Sequence, residues 1–226
     1  MKHHLSFFAA ILILSIITVP ACKTKKSSKN VILFEDTFSE VTPLNANRII
    51  HNTGYPSEGP SNWVIEDGRL LQKSNIYRGG EDEYDHYEGT HAVTKQGKDW
   101  QDYTVSMDYI IQGDDDGVGV LFRYQDPDHY YRFITLQDPG NKGPFRKLQG
   151  KDGDRFITLA ESKAGYDPAV GHKTRVKAVQ DPLTVCFDDK EIFSADDSHF
   201  PTGRSIGLMC YAEQPVFDNV LVQAAH

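Results

Sequence analysis

The sequence predicts an all-β protein, a sandwich or barrel of short antiparallel strands, on three observations. Alternating apolar and polar runs recur along the chain between turn signals. Eighteen Gly, eleven Pro and 11% aromatic residues suit turns and pleated, half-buried surfaces. No window sustains helical periodicity for three turns. The 226 residues are 39% hydrophobic and 25% charged, which excludes a disordered tail, a collagen-like repeat and a multi-span membrane protein.

Taken in order, the first element is an address. Residues 1–21 read as a signal peptide, with a weakly basic start and an apolar core over Leu5 to Val19 that is too short to span a bilayer. Val19-Pro20-Ala21-Cys22 resembles a bacterial lipobox, in which Cys22 is lipidated; the alternative is an ordinary signal peptide cleaved nearby. Residues 22–30 (CKTKKSSKN) follow as the lipidated Cys and a flexible tether, and either reading places the mature protein outside the cytoplasm. The membrane is then met only through the lipid anchor. The formal charge is −8, but the chain beyond residue 30 holds 19 basic against 32 acidic residues, or −13. Such a balance argues against nucleic acid as a partner.

Residues 31–226 form one expected domain. Its candidate strands are 31–38, 63–66, 69–73, 90–94, 103–112, 117–124 and 129–137, then 145–149, 156–160, 174–180, 183–188, 191–194, 205–211 and 216–222. Asp67-Gly68 and Asp152-Gly153 mark hairpins, and Asp126-Pro127-Asp128 and Asp181-Pro182 mark proline turns. Residues 38–62 and 74–89 read as long loops, where function often sits. Cys186 and Cys210 each lie in an apolar run, open to pairing or to burial as free thiols. No Cys/His zinc pattern, nucleophile elbow or phosphate- or dinucleotide-binding glycine motif occurs, so no organic cofactor is expected.

The succession WVIEDGRL, WQDYTVSMDY, DDDGVGVLFRYQDPDHYYRF, GRSIGLMCY and FDNVLV resembles the concanavalin A-like jelly rolls of secreted bacterial proteins. These include laminin-G-like domains and domains described as 3-keto-disaccharide hydrolase-like. The resemblance implies a two-sheet antiparallel jelly roll over about residues 31–224, with Trp63 and Trp100 at the core edge and Phe217 closing the last strand on the first. It leaves the activity open, because members of the superfamily are glycan-binding modules, glycosidases, polysaccharide lyases or adhesion domains. It also implies a structural calcium ion between the first and last strands, where Glu35, Asp36 and Asp218 fall.

Two acidic motifs are candidates for chemistry. Glu83, Asp85 and Glu88 match the E-x-D-x-x-E pattern of retaining glucanases of this fold, but lie in a polar stretch (RGGEDEYDHYEGTH) that reads more readily as a solvated loop. His86 and Tyr87 in the same loop have the residue types that β-elimination uses as base and acid. Asp114-Asp115-Asp116 reads as a hairpin tip or a cation site, without the alternate spacing of an EF-hand.

Strand alternation points to a basic strip. With Val118, Val120 and Phe122, Tyr131 and Phe133, and Leu148 turned inward, the residues Arg123, Tyr130, Arg132, Lys147 and Gln149 share the opposite face. Arg175 and Lys177 repeat the pattern on a later strand. Arginine can hold a uronate carboxylate or a sulfate bidentately, and tyrosine can stack on a sugar or move a proton. The expected function is therefore cleavage of a poly- or oligosaccharide, anionic in type, by β-elimination or hydrolysis. Tyr130, Arg132 and His86 are the catalytic candidates, with Arg123, Tyr130, Arg132, Lys147 and Gln149 binding substrate. The alternative is a non-catalytic glycan-binding or cell-surface interaction lipoprotein.

Overall fold

A computed structural model describes residues 31–39, 43–52, 59–77, 86–113, 116–138, 143–201 and 205–225. In chain order these form β1 (Ile32–Asp36), the one-turn α1 (Leu44–Asn47), β2 (Arg48–Asn52), β3 (Trp63–Glu66), β4 (Arg69–Gln72), β5 (Thr90–Thr94), β6 (Tyr103–Ile111) and β7 (Gly117–Asp126). Then come β8 (His129–Leu136), β9 (Phe145–Asp152), β10 (Arg155–Ser162), β11 (His172–Ala178), β12 (Leu183–Phe187), β13 (Lys190–Ala195), β14 (Ser205–Tyr211) and β15 (Pro215–Ala224). One sheet runs β13-β12-β11-β6-β15-β4-β3, with β1 alongside β15; the seven-stranded sheet runs β10-β9-β8-β7-β14-β5-β2.

The inner faces of the two sheets share one core. Val118, Val120 and Phe122 of β7, Tyr131 and Phe133 of β8 and Leu148 of β9 meet Val105 and Met107 of β6, Val176 of β11, Val185 of β12 and Phe217 of β15. Each such side chain stabilises the sandwich by roughly 1.5–3 kcal/mol when it leaves water. Trp63 stacks on Phe217 at 6.0 Å, and its Nε1 donates across the sheets to Thr90 Oγ1 at 2.9 Å. β1 closes on β15 with Glu35 opposite Leu221 and Asp36 opposite Val220. Asp67 and Gly68 both take positive φ, 50° and 69°, in the tight β3–β4 hairpin that the Asp-Gly pair predicts.

Every expected strand has its counterpart, with ends shifted by one or a few residues. β2 was expected to be loop. It pairs with β5 alone at the sheet edge, and its Ile49 is 45% exposed, so its two faces do not separate cleanly in the sequence.

A bulge in β7 overturns the placement of Arg123 on the basic strip. The β7–β8 register shifts between Phe122 and Asp126, and Arg123 takes φ 46°. That turns its side chain toward the end of the sandwich, where Nη1 donates to the Phe200 carbonyl at 3.0 Å and Tyr103 Oη accepts from its backbone N–H at 2.7 Å. Arg175 and Lys177 are also displaced from the strip, because β11 belongs to the other sheet.

Candidate functional site

The outer face of the seven-stranded sheet carries a second aromatic cluster, built by the residues that alternate with the core. Val93, Leu121, Tyr124, Tyr130, Ile134, Leu136, Phe145 and Met209 form it, with Tyr87, Phe156 and Tyr211 packed against it. Polar groups are set into this face in rows that cross the strands. Arg132 of β8 is opposite Gln149 of β9, which is opposite Thr158 of β10. Arg132 Nε and Nη2 both donate to Gln149 Oε1, at 3.0 and 2.8 Å, and Gln149 Nε2 donates to Thr158 Oγ1 at 3.0 Å. The guanidinium lies 3.7 Å from the centre of the Phe156 ring.

Residues 86–89 cross above this row. Arg132 Nη2 donates to the His86 carbonyl at 2.5 Å and Nη1 to the Tyr87 carbonyl at 3.2 Å. The Tyr87 ring packs on Phe145 at 4.7 Å, and the His86 ring on Phe156 at 5.2 Å. Glu88 turns inward to Lys151 of β9, whose Nζ donates to Glu88 Oε1 at 2.6 Å; both are buried. Gly89 follows because nothing larger fits: a Cβ there would lie 2.2 Å from the Cys210 carbonyl oxygen and 2.6 Å from that of Ile76.

Burial sets the electrostatics. Arg132 has no exposed surface, and its hydrogen-bond partners are neutral oxygens, so burial pushes its pKa down to about 10. His91 of β5, edge-on to Tyr130 with ring centroids 5.8 Å apart, is pushed down to about 3 by burial, and neither ring nitrogen has a hydrogen-bond partner. The imidazole is therefore neutral at neutral pH. Burial raises the Tyr130 hydroxyl far above its ordinary value, which the charge of Arg132 only partly offsets, and that hydroxyl is unpartnered too. Burial alone would raise the Glu88 carboxyl; the Lys151 hydrogen bond and the charges of Lys151 and Arg132 outweigh it and hold the group below its ordinary value. Unpartnered buried polar atoms are uncommon, and three of them side by side mark a place where packing has not been optimised for stability alone.

The structure thus brings Tyr130, Arg132, Lys147, Gln149 and His86 to one face and leaves Arg123 out. Lys147 Nζ lies 4.5 Å from the Phe145 ring centre and 5.3 Å from that of Tyr87. His91 and Lys151 belong to the site and were missed. Lys151 continues the alternation of Lys147 and Gln149 by two residues, so a longer β9 would have revealed it. His91 has no such signal, since only strand pairing sets it beside Tyr130.

At the expected calcium position the carboxylates have other engagements. Asp36 accepts a hydrogen bond from Arg48 at 2.5 Å and one from the Phe38 N–H at 2.8 Å, Glu35 is exposed, and Asp218 lies against Asp108 in register across β6. No group of three or more His, Cys, Asp or Glu among the described residues could hold a metal ion. Glu83, Asp85, Asp114 and Asp115 lie outside the described residues, as does Cys22. Cys210 is a buried free thiol that accepts from Gln72 Nε2 at 3.7 Å, so it does not pair with Cys186.

No protein-family model matches the chain, and no curated protein does. Solved structures do. The carbohydrate-binding module CBM66 from Bacillus subtilis is 18% identical, covers 75% of this chain and 95% of its own, and has a TM-score of 0.58. The laminarinase catalytic domain from Thermotoga maritima is 10% identical over 88% and 100% of the two chains, at 0.59. A Bacillus subtilis protein of unknown function with a galectin-like fold is 11% identical over 87% and 97%, also at 0.59. At these identities the likeness concerns the fold, and the fold is a concanavalin A-like jelly-roll sandwich.

Proposed function

We propose that the outer face of the seven-stranded sheet takes an anionic glycan and that the protein cleaves it by β-elimination. The observation that carries the reading is Arg132, a buried guanidinium held by neutral oxygens only, beside unpartnered His91 and Tyr130. A uronate carboxylate would replace the His86 and Tyr87 carbonyls on the guanidinium fork, exchanging two neutral acceptors for one charged bidentate partner. Residues 86–88 draw back to admit it. Neutralising that carboxylate is what makes the adjacent C5 proton removable. His91 then takes the proton, the electron pair forms the C4=C5 double bond, the C4–O bond breaks, and Tyr130 gives its proton to the departing oxygen. His91 is left protonated and Tyr130 as phenolate, and exchange with solvent restores both. A neutral imidazole and a protonated phenol are the starting states this sequence of steps needs, and burial supplies both.

Hydrolysis is less well supported, because it needs two carboxyl groups facing one sugar bond and Glu88 is already held by Lys151. The similarity to a carbohydrate-binding module and to a laminarinase catalytic domain agrees with a glycan ligand. Glycan binding without cleavage is favoured by one observation: an imidazole held at about 3 is a feeble base unless an incoming anion raises it.

Uronate-containing and sulfated polysaccharides, with neutral controls, separate these readings. Ultraviolet absorbance of unsaturated ends should appear with a uronate polymer, and Arg132→Lys, which keeps the charge and loses the fork, should cut the rate at least tenfold. Retention on acidic glycans without new chain ends would assign binding alone. Recognition of neutral glycans only would overturn both.

A further inference from the structure

A groove opens on the same outer face, on the β2 side of the cluster. It encloses about 500 Å³, within the range of small-molecule sites, and Ile49, His51, Val93, Tyr124, Gln125 and Ser205 line it. Lys95, Lys98 and Asp126 also reach it. Lys95 gives its ammonium to the Asn45 carbonyl at 2.5 Å, Asp126 holds His129 at 2.8 Å, and Lys98 is exposed.

Three features make this groove a saccharide site. Tyr124 is 5% exposed, yet its hydroxyl has no hydrogen-bond partner, so a ligand hydroxyl reaching it would satisfy a group the fold leaves orphaned. Burial lowers the pKa of His51, which therefore offers a neutral imidazole with one donor and one acceptor. The exposed Ile49 supplies an apolar patch that a sugar C–H face can cover. The groove is also continuous with the Arg132 site. Tyr124 stacks on Tyr130 with centroids 5.6 Å apart and planes 18° from parallel, and His51 is paired in register with His91.

The two sites differ in how their charges are placed. Around Arg132 stand Lys147 and Lys151, whereas in the groove Lys95 is engaged by the Asn45 carbonyl and Asp126 by His129, Lys98 is exposed, and Ile49, Val93, Tyr124, Gln125 and Ser205 offer uncharged groups. We propose that this groove binds an uncharged sugar unit next to the acidic one, so that the ligand is a heteropolysaccharide in which acidic and neutral residues adjoin. The inference rests on the anionic-glycan reading of the Arg132 site and adds the identity of the neighbouring unit.

The test compares two probes of equal length, a hyaluronan oligosaccharide, which alternates uronate with an uncharged amino sugar, and an oligogalacturonate, which is acidic at every unit. The parent protein should bind the alternating probe at least tenfold tighter in calorimetric titration. Tyr124→Phe keeps the ring stack and deletes one hydroxyl, and should reduce that preference by about three- to tenfold, the worth of one hydrogen bond. His51→Ala should bring the ratio of the two affinities near one. Equal affinities in the parent, or a ratio that both folded variants preserve, would overturn the inference and leave the acidic-site reading standing. Binding of neither acidic probe would remove both together.

Discussion

Glu88 and Lys151 are a buried ion pair at 2.6 Å, and removing one partner leaves an uncompensated charge in a low-dielectric site. Glu88→Gln or Lys151→Met alone should each destabilise the fold by about 3–5 kcal/mol. The double variant should cost less than the sum of the two, a coupling that a urea-unfolding cycle measures. Because the folded carboxyl titrates below its unfolded value of 4.5, this contribution is complete above that pH and is lost as pH falls through the lower folded value. His91 acts in the same direction by another route. The unfolded imidazole gains its proton near 6.5, while the folded one resists to about 3, so stability declines from 6.5 downward. Imidazole NMR should show the His91 ring still neutral at pH 5, its signal identified by its absence from the spectrum of His91→Phe. That variant should also flatten the pH dependence of stability between those values. A His91 signal that titrates near 6.5 would show that the ring is not held dry.

Residues 86–89 act as an element although they form neither helix nor strand. Arg132 holds the carbonyls at their start, Lys151 holds the carboxylate of Glu88, and Gly89 fits the segment against β14 where a side chain would meet backbone. Gly89→Ala must therefore displace the segment or β14, and should destabilise by about 1–3 kcal/mol, as overpacked sites do. Amide exchange at residues 86–92 should rise in that variant while the β6–β11 ladder stays protected; unchanged exchange would mean that the clash is absorbed elsewhere. β7 shows how a local irregularity redirects chemistry. One bulge moves Arg123 from the sheet's outer face to the end of the sandwich, and the neighbouring Tyr124 returns to the outer face.

For the whole molecule, the expected lipid attachment at Cys22 can be tested by fractionation. If Cys22 carries a lipid, Cys22→Ser should move the protein from the membrane fraction to the soluble one and leave its strand-rich circular dichroism unchanged. Unaltered fractionation would overturn the anchor. The candidate site lies on the outer face of one sheet, away from the shared core, so conservative changes there should alter glycan recognition more than the sandwich itself. Arg132, Lys151 and Glu88 are exceptions, because each is a buried charge whose loss or replacement also costs stability.

Much of this protein was legible in its sequence. Period-two alternation is local, so it located fourteen strands and sorted Tyr130, Arg132, Lys147 and Gln149 onto the face opposite Tyr131, Phe133 and Leu148. What alternation cannot carry is which strands are neighbours and where a ladder slips. His91 meets Tyr130 because β5 and β8 belong to one sheet, and Arg175 is excluded because β11 belongs to the other. Arg123 left the strip through a change of backbone handedness that no side-chain pattern announces. Glu35, Asp36 and Asp218 were grouped by their places along the chain, and only the tertiary structure sets Arg48 of β2, from the other sheet, against Asp36. Burial was the last thing left to tertiary structure. The sequence shows an arginine, a histidine and a tyrosine; only the packing of two sheets and the crossing of residues 86–89 removes water from them, and that removal sets their protonation states.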